Sequence, residues 1–546
     1  MNKILSILFL CSSLVSITVD AQTFDEYRDA YLSKFNSYKT TVIDKYEEYR
    51  NRVNEEYSQF MRQAWTEYKA NPARPIPLRK EPPKPVVKEP DDIIINPNPL
   101  SDILKSDENE IVEENINEGD VNVDIDSLTL EQDLSELLAD IVKEPKENKQ
   151  ANILPIDSII PVIEENYEAI PIAPLPKYEP MQAVTPGHSF SYYGVSCKVA
   201  LLDEHNFTLN GITENDVADG WDVLSSGEYL QIVSQCVDYS KELNLSDWGY
   251  LRFLQIMTES FFSINKKNEA VLMQMYILAQ SGYKVRIARC GEQLLLLLPI
   301  DKVVYNYSYL TVDGIPYYII NNDCKGQSFY LYNRALPSET PFSLFLTSVP
   351  MLETEQNDLY KRSLLSSNEL AVSVTINPNL LSFYNDYPIS SEWNYYALAS
   401  LGKELKSTLY PTLKEKIANL SQLDAANLLL NFVQTAFDYK TDAEQFGYER
   451  PLFGDETFYY PYCDCEDRSI LYSILVRDLL GLDVVLLNYP QHLATAVKFT
   501  EDVTGDYISL NGCKYVICDP TYIGAEVGNS MPNYRNVSAT VIYISR

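Results

Sequence analysis

With 546 residues the chain exceeds what one hydrophobic core holds, so two or more domains are expected. A hydrophobic fraction of 45% is ample for globular packing and excludes a wholly disordered chain. The formal net charge of −33, with no basic patch along the sequence, excludes a nucleic-acid binder, because affinity for phosphate comes from clustered Lys and Arg.

Met1 to Ala21 carries a lone Lys3, an apolar run from Ile4 to Leu10 and a small-residue end at Val19-Asp20-Ala21. That is the pattern of a secretory signal peptide cleaved after Ala21. An uncleaved anchor is the alternative, although the apolar run is shorter than the ~20 residues a span needs. The expectation is an exported chain, in periplasm, cell envelope or medium, with no membrane span after cleavage. Eight cysteines follow the leader, too few and too irregular for a disulfide framework.

Residues 22–71 hold a helical stripe. Phe24, Phe35, Tyr46, Tyr57 and Tyr68 recur every eleven residues, as do Tyr27, Tyr38, Tyr49 and Phe60. Eleven residues in three turns give a nearly straight helix, and a lone helix cannot bury such a stripe. The pattern predicts one long helix that self-associates or docks as a stalk; packing on its own globular domain is the alternative. Residues 72–186 are acidic and rich in proline, with seventeen of the thirty prolines between Asn71 and Pro186. Such composition does not offset the entropy of ordering, so a disordered linker is expected, with a short docking helix at Leu128–Val142.

From residue 187 the composition turns globular and an internal repeat emerges. Asn268 to Val285 aligns without a gap onto Asp467 to Val484, each an apolar helix ending at a glycine and followed by a strand. Tyr309 to Gly314 matches Tyr507 to Gly512, with Asp-Gly and Asn-Gly as hairpin turns. Upstream, Leu243 to Ser246 corresponds to Ala418 to Ser421. Two α+β domains of one design are expected, at 187–349 and 350–546; chance similarity of helix and strand is the alternative. The second holds about 24 extra residues, near Lys440 to Asp464, directly before its second helix.

That insertion ends in Cys463-Asp464-Cys465-Glu466-Asp467. A cysteine opening a helix meets the positive end of the helix dipole, which favours thiolate. His492 follows at the start of a strand and Asp519 at the end of another, the order a Cys-His-Asp nucleophilic triad needs. His492 as a core residue, a Cys463 disulfide, or a zinc site among Cys463, Cys465, His492, Cys513 and Cys518 are the other possibilities. Zinc is disfavoured because Cys513 and Cys518, five apart on one strand, face opposite sides. In the first domain the corresponding residues are Lys266, Gln293 and Asn321, so that domain is expected to be chemically inert.

Asp464-Cys465-Glu466-Asp467, the helix ending at Gly481, the strand beginning at His492 and Asp519-Pro520-Thr521-Tyr522 together resemble the transglutaminase-like superfamily. The resemblance implies a papain-like cysteine fold for about 430–530, preceded by a degenerate copy. It implies acyl transfer through a Cys465 thioester on peptide or side-chain amides, as peptidase, amidase or cross-linker. No cofactor or metal is expected, and the partner is a peptide or protein substrate. Oxyanion donors are sought in the backbone N–H of Cys465 and the side chains of Gln434 and Tyr439. A non-enzymatic envelope scaffold with a residual triad is the rival expectation.

Overall fold

Apolar residues at helical spacing build Glu214–Leu224, Leu230–Glu242, Asp247–Phe261 and Lys267–Gln280, the last buried along most of its length. The computed structural model describes residues 44–77, 85–88, 162–164, 186–300, 302–321, 328–346, 348–355 and 357–544. The signal peptide expected at 1–21, the first half of the 22–71 stripe and the docking helix expected at Leu128–Val142 lie outside the described residues. The architecture is mixed α+β and divides into two units. The first draws on Met1–Ile76, Ala169–Leu359 and Asn377–Tyr395, the second on Pro77–Glu168, Tyr360–Ile376 and Tyr396–Arg546. The boundary expected at 349/350 is therefore corrected. The hairpin of Tyr360–Leu365 and Ala371–Ile376 belongs to the second unit, whereas the helix Pro378–Asn385 returns to the first.

Each unit contains a six-stranded sheet. In the first the spatial order is Tyr309–Val312, Ile315–Ile319, Gln293–Pro299, Arg286–Cys290, Phe329–Leu331 and Thr66–Tyr68, antiparallel throughout. In the second it is Tyr507–Leu510, Cys513–Cys518, His492–Lys498, Asp483–Tyr489, Ala539–Tyr543 and Val162–Glu164. Taken in chain order the two sheets have the same connectivity, including a sixth strand donated from far upstream. They differ in that Val162–Glu164 runs parallel to its neighbour. Alternation along the strands buries one continuous face, Val485, Leu487, Ala494, Ala496, Ile517 and Val541 in the second sheet and Ala288, Leu295, Leu297, Leu310 and Leu331 in the first. Cys290, at the end of its strand, is disulfide-bonded.

The local signals agree with this correspondence. Ser246 and Ser421 each cap a helix, accepting from Gly249 N and Asp424 N. Asp313-Gly314 and Asn511-Gly512 both take positive φ, as a two-residue hairpin turn demands. The segment between the two helices before each sheet is 262–266 in the first unit and 436–464 in the second, which locates the insertion.

Two expectations for the N-terminal third are corrected. The 22–71 stripe is not one helix to its end: helix covers 44–61, and Thr66–Tyr68 is the edge strand of the first sheet. Nor does the stripe stand apart as a stalk along its described length. Tyr57 is 2% exposed and packs on Trp221 and Tyr332, whereas Tyr46 remains 48% exposed. Within 72–186, Val86–Val87 pairs with Tyr522–Ile523 and Val162–Glu164 with Ala539–Val541, so those pieces of the tract are strands of the second unit rather than free linker.

Candidate active site

The helix Cys465–Leu480 begins where the insertion ends. Asp464 is its N-cap in extended conformation, and the Asp467 carboxylate accepts from Asp464 N at 3.2 Å and Leu452 N at 2.9 Å. That arrangement ties the insertion to the first turn. Gly481, at φ 67°, closes the helix. One turn below Cys465 the Ser469 hydroxyl donates to Leu493 O at 2.7 Å, which brings the helix start to the strand start at His492.

His492 follows the two-residue turn Pro490-Gln491, in which Gln491 has φ 66°. Its Nε2 lies 2.8 Å from Asp519 Oδ2. Asp519 is fixed in turn, because its Oδ1 accepts from Thr521 N at 2.9 Å. A carboxylate only accepts, so this contact puts the imidazole proton on Nε2 and leaves the lone pair on Nδ1. Nδ1 is buried and makes no hydrogen bond among the described residues. Two tyrosines flank the ring, Tyr534 stacked at 4.8 Å and Tyr489 at 6.1 Å.

The sulfur is not where the sequence alone would leave it. Cys465 Sγ donates to Glu466 Oε2 at 3.1 Å, and Cys465, His492 and Asp519 are all buried. Asp464 and Glu466 lie within 4.8 Å of the thiol, and Asp467, Asp442 and Glu449 adjoin those two carboxyls, all buried. Burial and the neighbouring carboxyls push Asp442 up to about 10 and Asp467 up to about 8, and raise Asp464 well above the usual range. Ionised carboxylates beside the sulfur oppose the thiolate that the helix dipole favours. Three overlapping trios place ligand atoms within 4.8 Å of one another: Asp464, Cys465 and Glu466; Asp442, Asp464 and Asp467; Asp442, Glu449 and Glu466. These are the groups here with the geometry to hold a cation.

Of the oxyanion candidates, Gln434 is corrected. Its Nε2 donates to Asp519 O, Tyr522 O and Ala525 O at 3.1, 2.8 and 3.0 Å, and its Oε1 accepts from Gly524 N at 3.2 Å. No N–H remains for a substrate; Gln434 instead fixes the turn that carries Asp519. Tyr439 stands close to the thiol, and its hydroxyl is held protonated first by burial and then by the charges of Cys465, Asp464 and Glu466. Cys463 and Cys518 are poor nucleophiles. Burial raises Cys463 to about 11 and Cys518 to about 12, and neither is disulfide-bonded.

In the first unit Lys266 donates to Asn206 Oδ1, Asn206 O and Phe207 O at 2.6, 3.1 and 2.8 Å. Asn268, two residues on, accepts from Leu294 N at 2.9 Å, and Asn321 Nδ2 donates to Leu294 O at 3.2 Å. Asn268 and Asn321 therefore meet at Leu294, next to Gln293, with their amides bonded to backbone, whereas Gln293 Oε1 is buried without a hydrogen-bond partner among the described residues.

Glu466, Tyr489, Tyr534 and the pair Asp442 and Glu449 were not singled out from the sequence. Only Glu466, adjacent to Cys465, offered a local signal; the others come from separate segments with no motif. No protein-family model, curated protein or solved structure matches the chain.

Proposed function

We propose that the second unit is a transglutaminase-like, papain-like cysteine site performing acyl transfer, and that the first unit is a degenerate copy of the same fold. The observation that carries this reading is the 2.8 Å contact of His492 Nε2 with Asp519, which orients an unpartnered Nδ1 at the strand end held beside the Cys465 helix. In the proposed reaction the Cys465 proton passes to Nδ1 and the sulfur adds to an amide carbonyl of a peptide or side chain. The tetrahedral oxyanion is held by the Cys465 N–H and the Tyr439 hydroxyl. The C–N bond then breaks as the imidazolium returns its proton to the leaving amine, giving a thioester. Water or an amine, deprotonated by His492, releases the acyl group and restores the thiol. The leader pattern supports an exported protein acting in periplasm, envelope or medium. Tyr46 and Tyr49, exposed on the helix 44–61, remain as a face for docking or self-association.

Hydroxylamine tests the reaction. The purified chain incubated with glutamine peptides and hydroxylamine should form peptide hydroxamate, and Cys465→Ala should form none. Equal hydroxamate from both proteins would sink the assignment. A second reading, a non-enzymatic envelope scaffold with a residual triad, is favoured by one observation: the Cys465 thiol is 0% exposed and donates to Glu466. Absence of both hydroxamate and iodoacetamide labelling at Cys465 would put that reading first.

A further inference from the structure

The strand pair that follows Asp519 is built from two unequal partners. Tyr522–Ile523 and Val86–Val87 form a parallel two-stranded sheet of their own, apart from the six-stranded one, with Tyr522 opposite Val86 and Ile523 opposite Val87. The Tyr522–Ile523 side is fixed from within the unit. Tyr522 N donates to Asp519 O at 3.3 Å, Tyr522 O accepts from Gln434 Nε2 and Ala525 N, and Gly524 N donates to Gln434 Oε1. The Val86–Val87 side comes from far upstream and is lightly held. Lys88 N donates to Ile523 O at 2.9 Å, Val86 packs with Tyr522, Ala525, Met531 and Tyr534, and Val87 is 61% exposed. Two residue pairs and one inserted side chain make only a marginal ribbon in water. The segment is nonetheless suited to docking. Pro85 fixes its own φ, and Pro82, Pro83 and Pro90 flank it in the sequence, which lowers the chain entropy lost when it binds.

We infer that Tyr522–Ile523 is a peptide-binding edge of the second unit, that its ligand is an extended, proline-flanked segment with a β-branched residue at the Val86 place, and that Val86–Val87 is the resident occupant an outside peptide has to displace. Main-chain bonds to a prepared edge supply affinity, and a side-chain socket supplies selectivity. The socket of Tyr522, Ala525 and Met531, walled by Tyr534, takes a branched aliphatic side chain. Its place in the unit gives it a purpose. The edge starts directly after Asp519-Pro520-Thr521, and the Tyr534 that walls the socket stacks on His492 with ring centroids 4.8 Å apart. A tethered occupant acts at an effective concentration on the order of millimolar, so the edge is closed to dilute peptides until the segment is released. The binding edge goes beyond the acyl-transfer reading and stands without it, because no group in it reacts.

The test uses the full chain carrying Cys465→Ala, so that binding is read apart from catalysis. A labelled synthetic peptide of residues 80–92 is titrated by fluorescence anisotropy against this parent, against Val86→Asp, which puts a carboxylate in the socket, and against Val87→Asp, which puts one at the exposed position. Val86→Asp should bind the peptide at least about tenfold more tightly than the parent, because its own segment no longer competes, and Val87→Asp should match the parent. The same peptide carrying Val86→Asp should bind none of the proteins. Equal binding by all of them, no binding by Val86→Asp, or equal affinity for the two peptides overturns the inference. Should Val86→Asp lose its helical circular dichroism, Val86→Ala, which only shortens the side chain, takes its place; it must then tighten peptide binding relative to the parent, and an unchanged affinity overturns the inference as well.

Discussion

Two sheets with one connectivity sit in the same chain, and only one of them ends in a histidine bonded to an aspartate. In the first unit the polar side chains at the sheet end are consumed by backbone, Asn321 by Leu294 and Leu296, Lys266 by Asn206 and Phe207. In the second, His492 and Asp519 bond each other and the imidazole keeps an open nitrogen. The insertion 436–464 adds Tyr439, Asp442 and Glu449 to that difference. The frame is thus insensitive to what stands at its end, and the two ends differ in a few side chains plus the segment that surrounds them.

The largest expected effect breaks the comparison outright. Cys465→Ala should remove hydroxamate formation completely, and Asp519→Asn should lower its rate by about 10³–10⁴, since the imidazole loses its orienting carboxylate. An Asp519→Asn rate within tenfold of the parent would leave His492 without the proposed dependence.

Next come stability effects that compare the two ends of the sheets. Gln434→Ala strips donors from three buried carbonyls and should cost about 3 kcal/mol in urea unfolding followed on the second unit. Asn321→Ala, which removes one bond donated to Leu294 O and one accepted from Leu296 N at a more exposed place, should cost about 1–2 kcal/mol in the first. Equal costs would mean that the turn holding Asp519 is no more dependent on its anchor than the inert one.

A smaller effect is read in pH. Burial raises the Asp455 carboxyl to about 7, above its unfolded value of about 3.9. A raised carboxyl contributes stability that is fully present below about pH 4 and is lost as pH rises through 7. Asp455→Asn, neutral throughout, should therefore gain stability relative to the parent between pH 4 and 8 in denaturant titrations. A constant difference across that range would remove the assignment.

The smallest expected effect is none. Lys266→Cys with Gln293→His and Asn321→Asp should produce no hydroxamate in a Cys465→Ala background, because the first unit lacks the insertion. Any turnover there would show that the triad alone suffices.

The frame was legible because its signals are local and repeat. Ser246 and Ser421 cap helices, Gly481 ends one, and Asp-Gly and Asn-Gly turn hairpins at matching positions. Cys465, His492 and Asp519 stood out by order and by the elements they begin or end. What escaped was non-local. Val162–Glu164 is a short apolar piece inside an acidic, proline-rich tract, and nothing near it names Ala539–Val541 as its partner. The eleven-residue stripe continues in sequence through Tyr68, but pairing with Phe329–Leu331 outweighs helical spacing there. Gln434 was assigned by type; its three carbonyl partners lie about 90 residues away in the chain, beyond any pattern.

The sixth strand of each sheet carries a consequence for how the protein is made. Thr66–Tyr68 and Val162–Glu164 leave a ribosome or a translocation pore long before the strands they border, Phe329–Leu331 and Ala539–Tyr543. Until the later strand arrives, each early one has its backbone donors and acceptors met only by water, and each later strand must close a gap of hundreds of residues. Assembly of the second sheet waits on Ala539–Tyr543, which takes its place between Asp483–Tyr489 and Val162–Glu164. A chain of this design leaves the ribosome with its second sheet unfinished, and the strand end that carries His492 is held in a complete sheet only after Ala539–Tyr543 has arrived.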